Sequence, residues 1–566
     1  MNRLHRAALF ARTVRHLRPG QFAHRARLRT QKLALTRFPG PLATRLSRSL
    51  PQNPGWPERF EPLDARLAGA TATNATAEAS ANGRFSFLGE ERALGDHQDW
   101  EQPQADQLWR YNLHYFEWAW PLVTHPDRPW ARAAFGRLWH SWQLGTTFGR
   151  WDAWSPYVVS LRAWALCGLY GPLIQGTEHE NPYLDDLALH GGFVRANLEL
   201  DVGGNHLVKN IKALVGLGVF LADDALVDLA TRHLTRQLPV QVLSDGGHFE
   251  RSPSYHCQVL GDLIDISEIL KAAGRPAPAQ LGTAIASMRT WLGAMLLPDG
   301  DVPLFNDCTR VGPELLALLE PVPAPPGEQR LTVLQPSGYA VIRTANGRIH
   351  LVADIGPPCP PELPAHAHAD CLSFELAVDG QRLVVDTGTS TYRPGPRRDY
   401  ERSTAAHNTV EIDGDNQTEV WGAFRAARRA TPRLETATDE GPGQPVTVTA
   451  SHNGYERLPG APRHRRTWRV TDDGIEITDE VEGNGEHTSV ARLILAPGTQ
   501  VQPVGENSYR AGPLEISLSS GSDLGSVEVA EVFGKSQLTL CLSISTRGPL
   551  PHRIRIRLAL GEEPEL

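Results

Sequence analysis

Pro321-Val322-Pro323-Ala324-Pro325-Pro326-Gly327 separates two textures of sequence. Four prolines and a closing glycine leave too few backbone donors for helix or sheet, so the stretch reads as a linker. Upstream, from Trp109 to about Leu297, apolar residues recur at spacings of three and four. Ala131 to Trp142, Val158 to Leu169, Leu184 to Leu198, Leu207 to Leu221, Ala225 to Leu238 and Gln258 to Ala272 all show it. That is the period of helices with one buried face, and short Gly, Pro or Asp turns predict serial hairpins in an array or ring. Downstream, β-branched segments flank the turn dipeptides Asn346-Gly347, Asp379-Gly380 and Asp473-Gly474. Such pairs are hairpin signatures, and their continuation to the C-terminus predicts an antiparallel sandwich.

The expected layout is therefore multidomain, α then β: a basic helical arm at 1–50, a loose connector at 51–106, an array or ring of helices at 107–320 and an antiparallel β-sandwich at 328–566. A chain of 566 residues is too long for one compact core. Nine tryptophans between Trp109 and Trp164, Trp151 among them, read as helix-packing core, although in a carbohydrate-acting protein one or two could stack on sugar faces. The six cysteines, Cys167, Cys257, Cys308, Cys359, Cys371 and Cys541, form no CxxC pair. This argues against a thiolate zinc site and a disulfide framework, and Cys257 beside His256 reads as a buried thiol rather than a nucleophile.

Charge is uneven. Residues 1–50 hold twelve of the 56 basic side chains and no acidic one, leaving 44 basic against 64 acidic, a net −20, for the rest. Such an arm suits either an anionic membrane surface or an acidic polymer, or else it packs on the acidic body. The run Ala7 to Ala11 is too short for a secretory segment, and no stretch approaches the length of a membrane span. A cytoplasmic or membrane-surface protein is expected, with the periplasm as the alternative. No GxxxxGK loop and no GxGxxG after a strand is present, and the arm lacks interleaved aromatics, so neither nucleotide nor nucleic acid is an expected partner.

The densest chemistry lies in Pro364-Ala365-His366-Ala367-His368-Ala369-Asp370, with Asp386 and His407 following. Two histidines two apart share a face of extended backbone. A later Asp and a third His complete a nitrogen and oxygen set suited to zinc, so His368, Asp386 and His407 are assigned as ligands of one structural ion. A plain two-residue turn at Asp379-Gly380 pairs 386 with 373 and points it the wrong way, so ligation demands a longer turn or a bulge. In the helical half, Gly203-Gly204-Asn205-His206 opens a helix, and Asp245 to His256 is a Gly-bounded loop dense in charge and aromatics. Phe305-Asn306-Asp307 reads as a structural turn.

Together with Arg110 to Tyr115 and Arg402 to Thr409, these islands resemble the heparinase II/III family over residues 100 to 430, six islands in the same order. The resemblance implies an α/α toroid followed by a β-sandwich and a lyase that cleaves uronate-containing polysaccharide by β-elimination. By the family pattern, Asn205 and His206 match residues that neutralise the uronate carboxylate or assist proton removal. Tyr255 matches the tyrosine that serves as base or acid, and His366 a histidine facing the cleft. Tyrosine acts as a base only with a lowered pKa, for which Arg251 and His256 are the local candidates. Tyr392 and Tyr400 both qualify as a second tyrosine, and Arg402 joins Arg251, His256 and these two as an expected substrate contact. The expected substrate is an acidic bacterial exopolysaccharide rather than a sulfated animal glycan. A uronyl C5-epimerase and a non-catalytic glycan-binding protein are the alternatives. A hydrolase lacks a convincing carboxylate pair, Asp245 and Glu250 being the nearest.

Overall fold

The computed structural model describes residues 3–150, 152–323, 329–344 and 346–561. Most of the linker quoted above, from Ala324, and Trp151 lie outside them. Helices fill the first part, and beyond Leu331 the chain is dominated by antiparallel strands. All six helices expected from periodicity are present: Arg128–Gly145, Pro156–Leu169, Glu180–Ala196, Gly204–Phe220, Asp224–Gln241 and Pro253–Ala272. The helices pack in series, Pro156–Leu169 on Glu180–Ala196, that on Gly204–Phe220, and that on both Asp224–Gln241 and Pro253–Ala272, while Leu63–Thr71 meets Pro313–Leu319, which closes the array into a toroid. Its core takes up Trp109, Trp118, Trp120, Trp139, Trp142, Trp154 and Trp164, so the aromatic crowding is packing. Large rings fill the wedge-shaped gaps between splayed helices at little conformational cost.

Residues 51–106 are not a loose connector. Helices Leu63–Thr71 and Asn74–Ala81 and the hairpin Arg84–Phe87/Glu90–Ala93 dock onto the toroid, burying Phe60, Leu63, Ala77, Phe85, Leu94 and Trp100. The docking faces are largely alanine, a weak periodic signal in sequence. The basic segment forms three helices, α1 (Arg3–Val14), α2 (Pro19–Arg37) and α3 (Pro39–Leu46). One helical run, Pro156–Ile174, is long and apolar enough to cross a membrane, contrary to the sequence expectation; 78% of its apolar window is buried inside the protein. It is the toroid's central core helix.

The β half contains a five-stranded sheet, Leu331–Leu334 through Gln381–Val384 in sequential order, an eight-stranded sheet and a four-stranded sheet. Alternate residues of these sheets share one apolar core around Trp468, Ile477 and Ile556. The three turn dipeptides all lie at hairpins. Around Asp379-Gly380, Val378 pairs with Gln381, but Leu376 pairs with Val384. This is the bulge that the register argument demanded, and it turns Asp386 onto the opposite face. The two halves are joined by a dry seam in which Trp291, Met295 and Phe305 meet Tyr339, Val341 and Val352. Removing a ring such as Trp291 costs about 3–5 kcal/mol, enough to loosen the seam that sets the cleft.

Candidate active site and metal cradle

The helical wall begins where the chain enters Gly204–Phe220. Gly204 has φ +53, and a Cβ there lies 2.2 Å from Glu250 Oε1 and 2.6 Å from Leu363 Cδ2, so only glycine fits. The space it leaves admits the Glu250 carboxylate to the helix N-terminus, where the Asn205 N–H donates to Oε1 at 2.7 Å. Asn205 is buried, yet its side-chain oxygen has no partner. An orphaned amide of this kind costs stability unless a ligand meets it.

His206 follows on the same turn, its side chain 35% exposed. Its Nδ1 lies 3.1 Å from Glu199 Oε1. Glu199 is fixed in turn: Asn210 Nδ2 donates to Oε2 at 3.0 Å, and the Glu199 N–H donates to Asn210 Oδ1 at 2.8 Å. The imidazole rests on Tyr157 with centroids 4.2 Å apart. A carboxylate on Nδ1 places the proton there and leaves Nε2 as a lone pair on the exposed side.

Tyr255 sits in the first turn of Pro253–Ala272, with Oη 2.9 Å from Tyr392 Oη and its ring 3.8 Å from the His366 ring. Burial, then the neighbouring Tyr392 and Asp307, push its pKa well above 10, so the phenol is protonated at neutral pH. The expected lowering by Arg251 and His256 is not found. Neighbours on a helix diverge by about 100°. His256 therefore faces inward, its Nε2 at 3.1 Å from Met288 O and its ring stacked on Trp291. Burial and the nearby His248 drop its pKa to about 3. Arg251 (φ +59) turns away to the domain seam, donating to Phe249 O and Pro336 O. Neither contacts the tyrosine pair.

The β-side wall is built differently. His366 is flanked on both ring nitrogens: Nε2 is 3.0 Å from Glu250 Oε2 and Nδ1 is 3.0 Å from Asp307 Oδ2. Burial opposes its charge, but the two carboxylates outweigh it and raise its pKa to about 9. The other Asp307 oxygen meets His368 Nε2 at 2.9 Å, and Arg398 clasps both oxygens. Asn306 Oδ1 accepts the His368 N–H at 3.0 Å. Phe305-Asn306-Asp307 is therefore more than a turn: it ties both histidines to the helical half. Sequence named the island but could not show that one carboxylate serves two rings.

His368, Asp370 and His407 place ligand atoms within 4.8 Å of one another, all buried. His368 Nδ1, His407 Nε2 and both Asp370 oxygens lack any partner. Burial raises the pKa of Asp370 to about 6, and Asp386 adds to the rise. Convergent unsatisfied nitrogen and carboxylate atoms fit a divalent cation, zinc above all. Asp386 is not in this triplet. Its Oδ2 lies 2.7 Å from His407 Nδ1 and its Oδ1 accepts from the Gly388 N–H, so it orients the ligand from behind. The bulge brings it to the right face one layer further back than the sequence assignment.

Of the two further tyrosines, Tyr392 is in the site and Tyr400 is not. Arg398 faces Asp307 from helix Pro396–Glu401, so Tyr400, two positions on, points away, where burial and then Cys541 raise its pKa to about 12. Arg402 is also no substrate contact: it is buried, donating to Ala367 O, Gly422 O and Arg425 O. It splints the backbone between His366 and His368. Beside Tyr392 a cavity of about 300 Å³ opens between the two halves, lined by Trp109 and Asp106 on one side and Arg393 and Phe533 on the other.

Two family models match: "Heparinase II/III N-terminus" over residues 150–317 and "Heparinase II/III-like, C-terminal" over 326–540. The chain is 32% identical over 324 residues to FtsZ-localized protein C of Caulobacter vibrioides, covering 56% of this chain and 54% of that protein. It is 23% identical over 350 residues to a heparin-sulfate lyase of Bacteroides thetaiotaomicron, covering 53% and 47%. The chain thus spans about half the length of the curated relatives it matches. The crystal structure of heparinase III superposes with a TM-score of 0.73 at 16% identity, over 90% of this chain and 88% of that one. That likeness shows the shared toroid-plus-sandwich fold.

Proposed function

Because the chain belongs to the heparinase II/III-like family, we propose that it is a polysaccharide lyase that breaks uronate-containing acidic polysaccharide by β-elimination. One observation carries this reading: an oriented imidazole with a free Nε2 adjoins Asn205, whose amide oxygen is unpartnered, and a protonated phenol lies against His366, which shares Glu250 with Asn205. A proton acceptor and a proton donor at one site are what an elimination needs. Asn205 donates from its amide Nδ2 to the uronate carboxylate and makes the neighbouring C–H more acidic. His206 Nε2 takes the C5 proton while Glu199 stabilises the imidazolium. Tyr255 Oη gives its proton to the departing glycosidic oxygen, and Tyr392 Oη holds the phenol in line. His366, clamped by two carboxylates, carries positive charge against the tyrosine ring and takes no proton.

His368, Asp370 and His407 would hold one zinc ion, with Asp386 orienting His407. Bound there, the ion would supply positive charge among buried carboxylates and would tie the His366 loop to the sandwich. Elemental analysis at one zinc per chain supports this, and a metal-free folded protein removes it.

The test is incubation with a panel of uronate polysaccharides, bacterial exopolysaccharides included, followed by ultraviolet absorbance of the 4,5-unsaturated product. Wild type is expected to produce it and Tyr255→Phe to lose about 10³-fold or more in kcat with unchanged melting. No absorbance from any polymer, with C5 inversion instead, moves the reading to an epimerase, which uses the same abstraction. A relative, FtsZ-localized protein C, carries a name for localisation rather than for catalysis, so a second reading is a non-catalytic glycan-binding protein. Glycan binding that survives Tyr255→Phe, without turnover in wild type, selects it.

A further inference from the structure

The basic helices α1 to α3 take no part in the site, and their two faces differ in kind. The inward face is fastened to both halves of the protein. Leu9 packs on Trp421 and Ala427, and Arg12 pairs with Glu419 at 2.9 Å on the β side. Gln21 donates to Asp201 O, Arg27 to Ala196 O and Leu198 O, and Arg48 pairs with Asp223 on the helical side. The segment is thus a rigid strap lying across one side of the protein.

Its outward face combines bare apolar and bare basic side chains. Leu4 is 82% exposed, Leu33 72%, Phe10 and Phe38 56% and Phe22 46%; three of the four exposed phenylalanines among the described residues are here. Around them Arg3, Arg6, Arg15, Arg29, Lys32, Arg37 and Arg45 are all exposed, and none pairs with a carboxylate among the described residues. On α2, Phe22, Ala26, Arg29 and Leu33 follow at spacings of three and four, which puts them in one outward stripe. An exposed apolar stripe on a fixed helix is unfavourable in water and calls for an occupant.

We propose that this strap seats the protein on an anionic phospholipid surface, with Phe10, Phe22, Leu33 and Phe38 entering the headgroup boundary and the seven free cations facing lipid phosphate. Charge complementarity selects the occupant. Each basic group near such a surface adds roughly fivefold to partitioning, and shallow burial of Phe and Leu adds affinity that a soluble polyanion does not give. The strap has no Trp or Tyr to offer as a flat sugar platform. The remainder of the chain, at net −20, is repelled by the same surface, so the strap also orients the molecule with its body away from the lipid. This proposal is independent of the lyase reading.

The experiment is sedimentation of the full chain with vesicles of 3:1 zwitterionic to anionic phospholipid and with purely zwitterionic vesicles. Binding is expected to the first only. It should fall tenfold or more in Phe22→Ser/Leu33→Ser and be abolished by Arg29→Glu/Lys32→Glu/Arg37→Glu. All these residues are solvent-facing, so melting temperature should hold, and Tyr255→Phe should bind as wild type does. Equal binding to both vesicles, or to neither, overturns the proposal. So does anionic-vesicle binding that Phe22→Ser/Leu33→Ser leaves intact and soluble acidic polysaccharide displaces, which would make the strap a polyanion site.

Discussion

The two sides of the candidate site use the same residue types to opposite ends. On the helical wall, Asn205, His206 and Tyr255 each keep a polar atom in reserve: an orphaned amide oxygen, a free Nε2, a protonated Oη. On the β-side wall, His366 is saturated by Glu250 and Asp307, and the remaining free atoms of His368, Asp370 and His407 point at one another. On the proposed reading, histidine on one side carries a proton and on the other is a strut. What differs is whether the second ring nitrogen meets open space or another buried group.

The largest effect that sharpens this contrast is on stability. The pKa of His366 in the fold, about 9, stands above the ordinary 6.5 of an unfolded chain. A raised histidine stabilises fully below the unfolded value and loses that contribution as pH rises through the folded one. Stability is therefore expected to fall by about 3 kcal/mol between pH 6.5 and 9.5. Urea midpoints across that range should show the fall in wild type and in Tyr255→Phe, but not in His366→Gln. A flat wild-type profile would mean that the clamp carries no charge.

A smaller effect tests the helical wall. Glu199→Gln keeps an acceptor for His206 Nδ1 only by turning its amide nitrogen toward Asn210 Nδ2, and it removes the charge that stabilises the imidazolium. It should lower kcat by roughly 30-fold, about 2 kcal/mol, with KM within twofold. Equal losses in kcat and melting temperature would make Glu199 merely structural.

Much of this was legible in the sequence where one local rule decides the outcome. The helix period placed Asn205 and His206 at a helix start, and turn arithmetic asked for a longer turn or a bulge if Asp386 was to face His368; a bulge is present, although Asp386 stands behind His407 rather than in the triplet. Readings failed where proximity in sequence stood in for proximity in space. His256 and Arg251 adjoin Tyr255 in the chain, but helix rotation and a positive φ send both elsewhere. Tyr400 and Arg402 failed for the same reason. Asp307 and Asp370 were visible as residues, but their partners lie on other elements, so their roles emerged only with the fold. The docked helices at 63–81 escaped notice because alanine buries well and signals weakly.

The most direct measurement sets His206→Ala beside His368→Ala, assaying 4,5-unsaturated product per folded molecule at a temperature where both remain native. The division of labour expects His206→Ala to lose 10²-fold or more with its melting temperature intact. His368→Ala should melt lower yet keep turnover within tenfold. Product formation that survives in His206→Ala and vanishes in folded His368→Ala would contradict it.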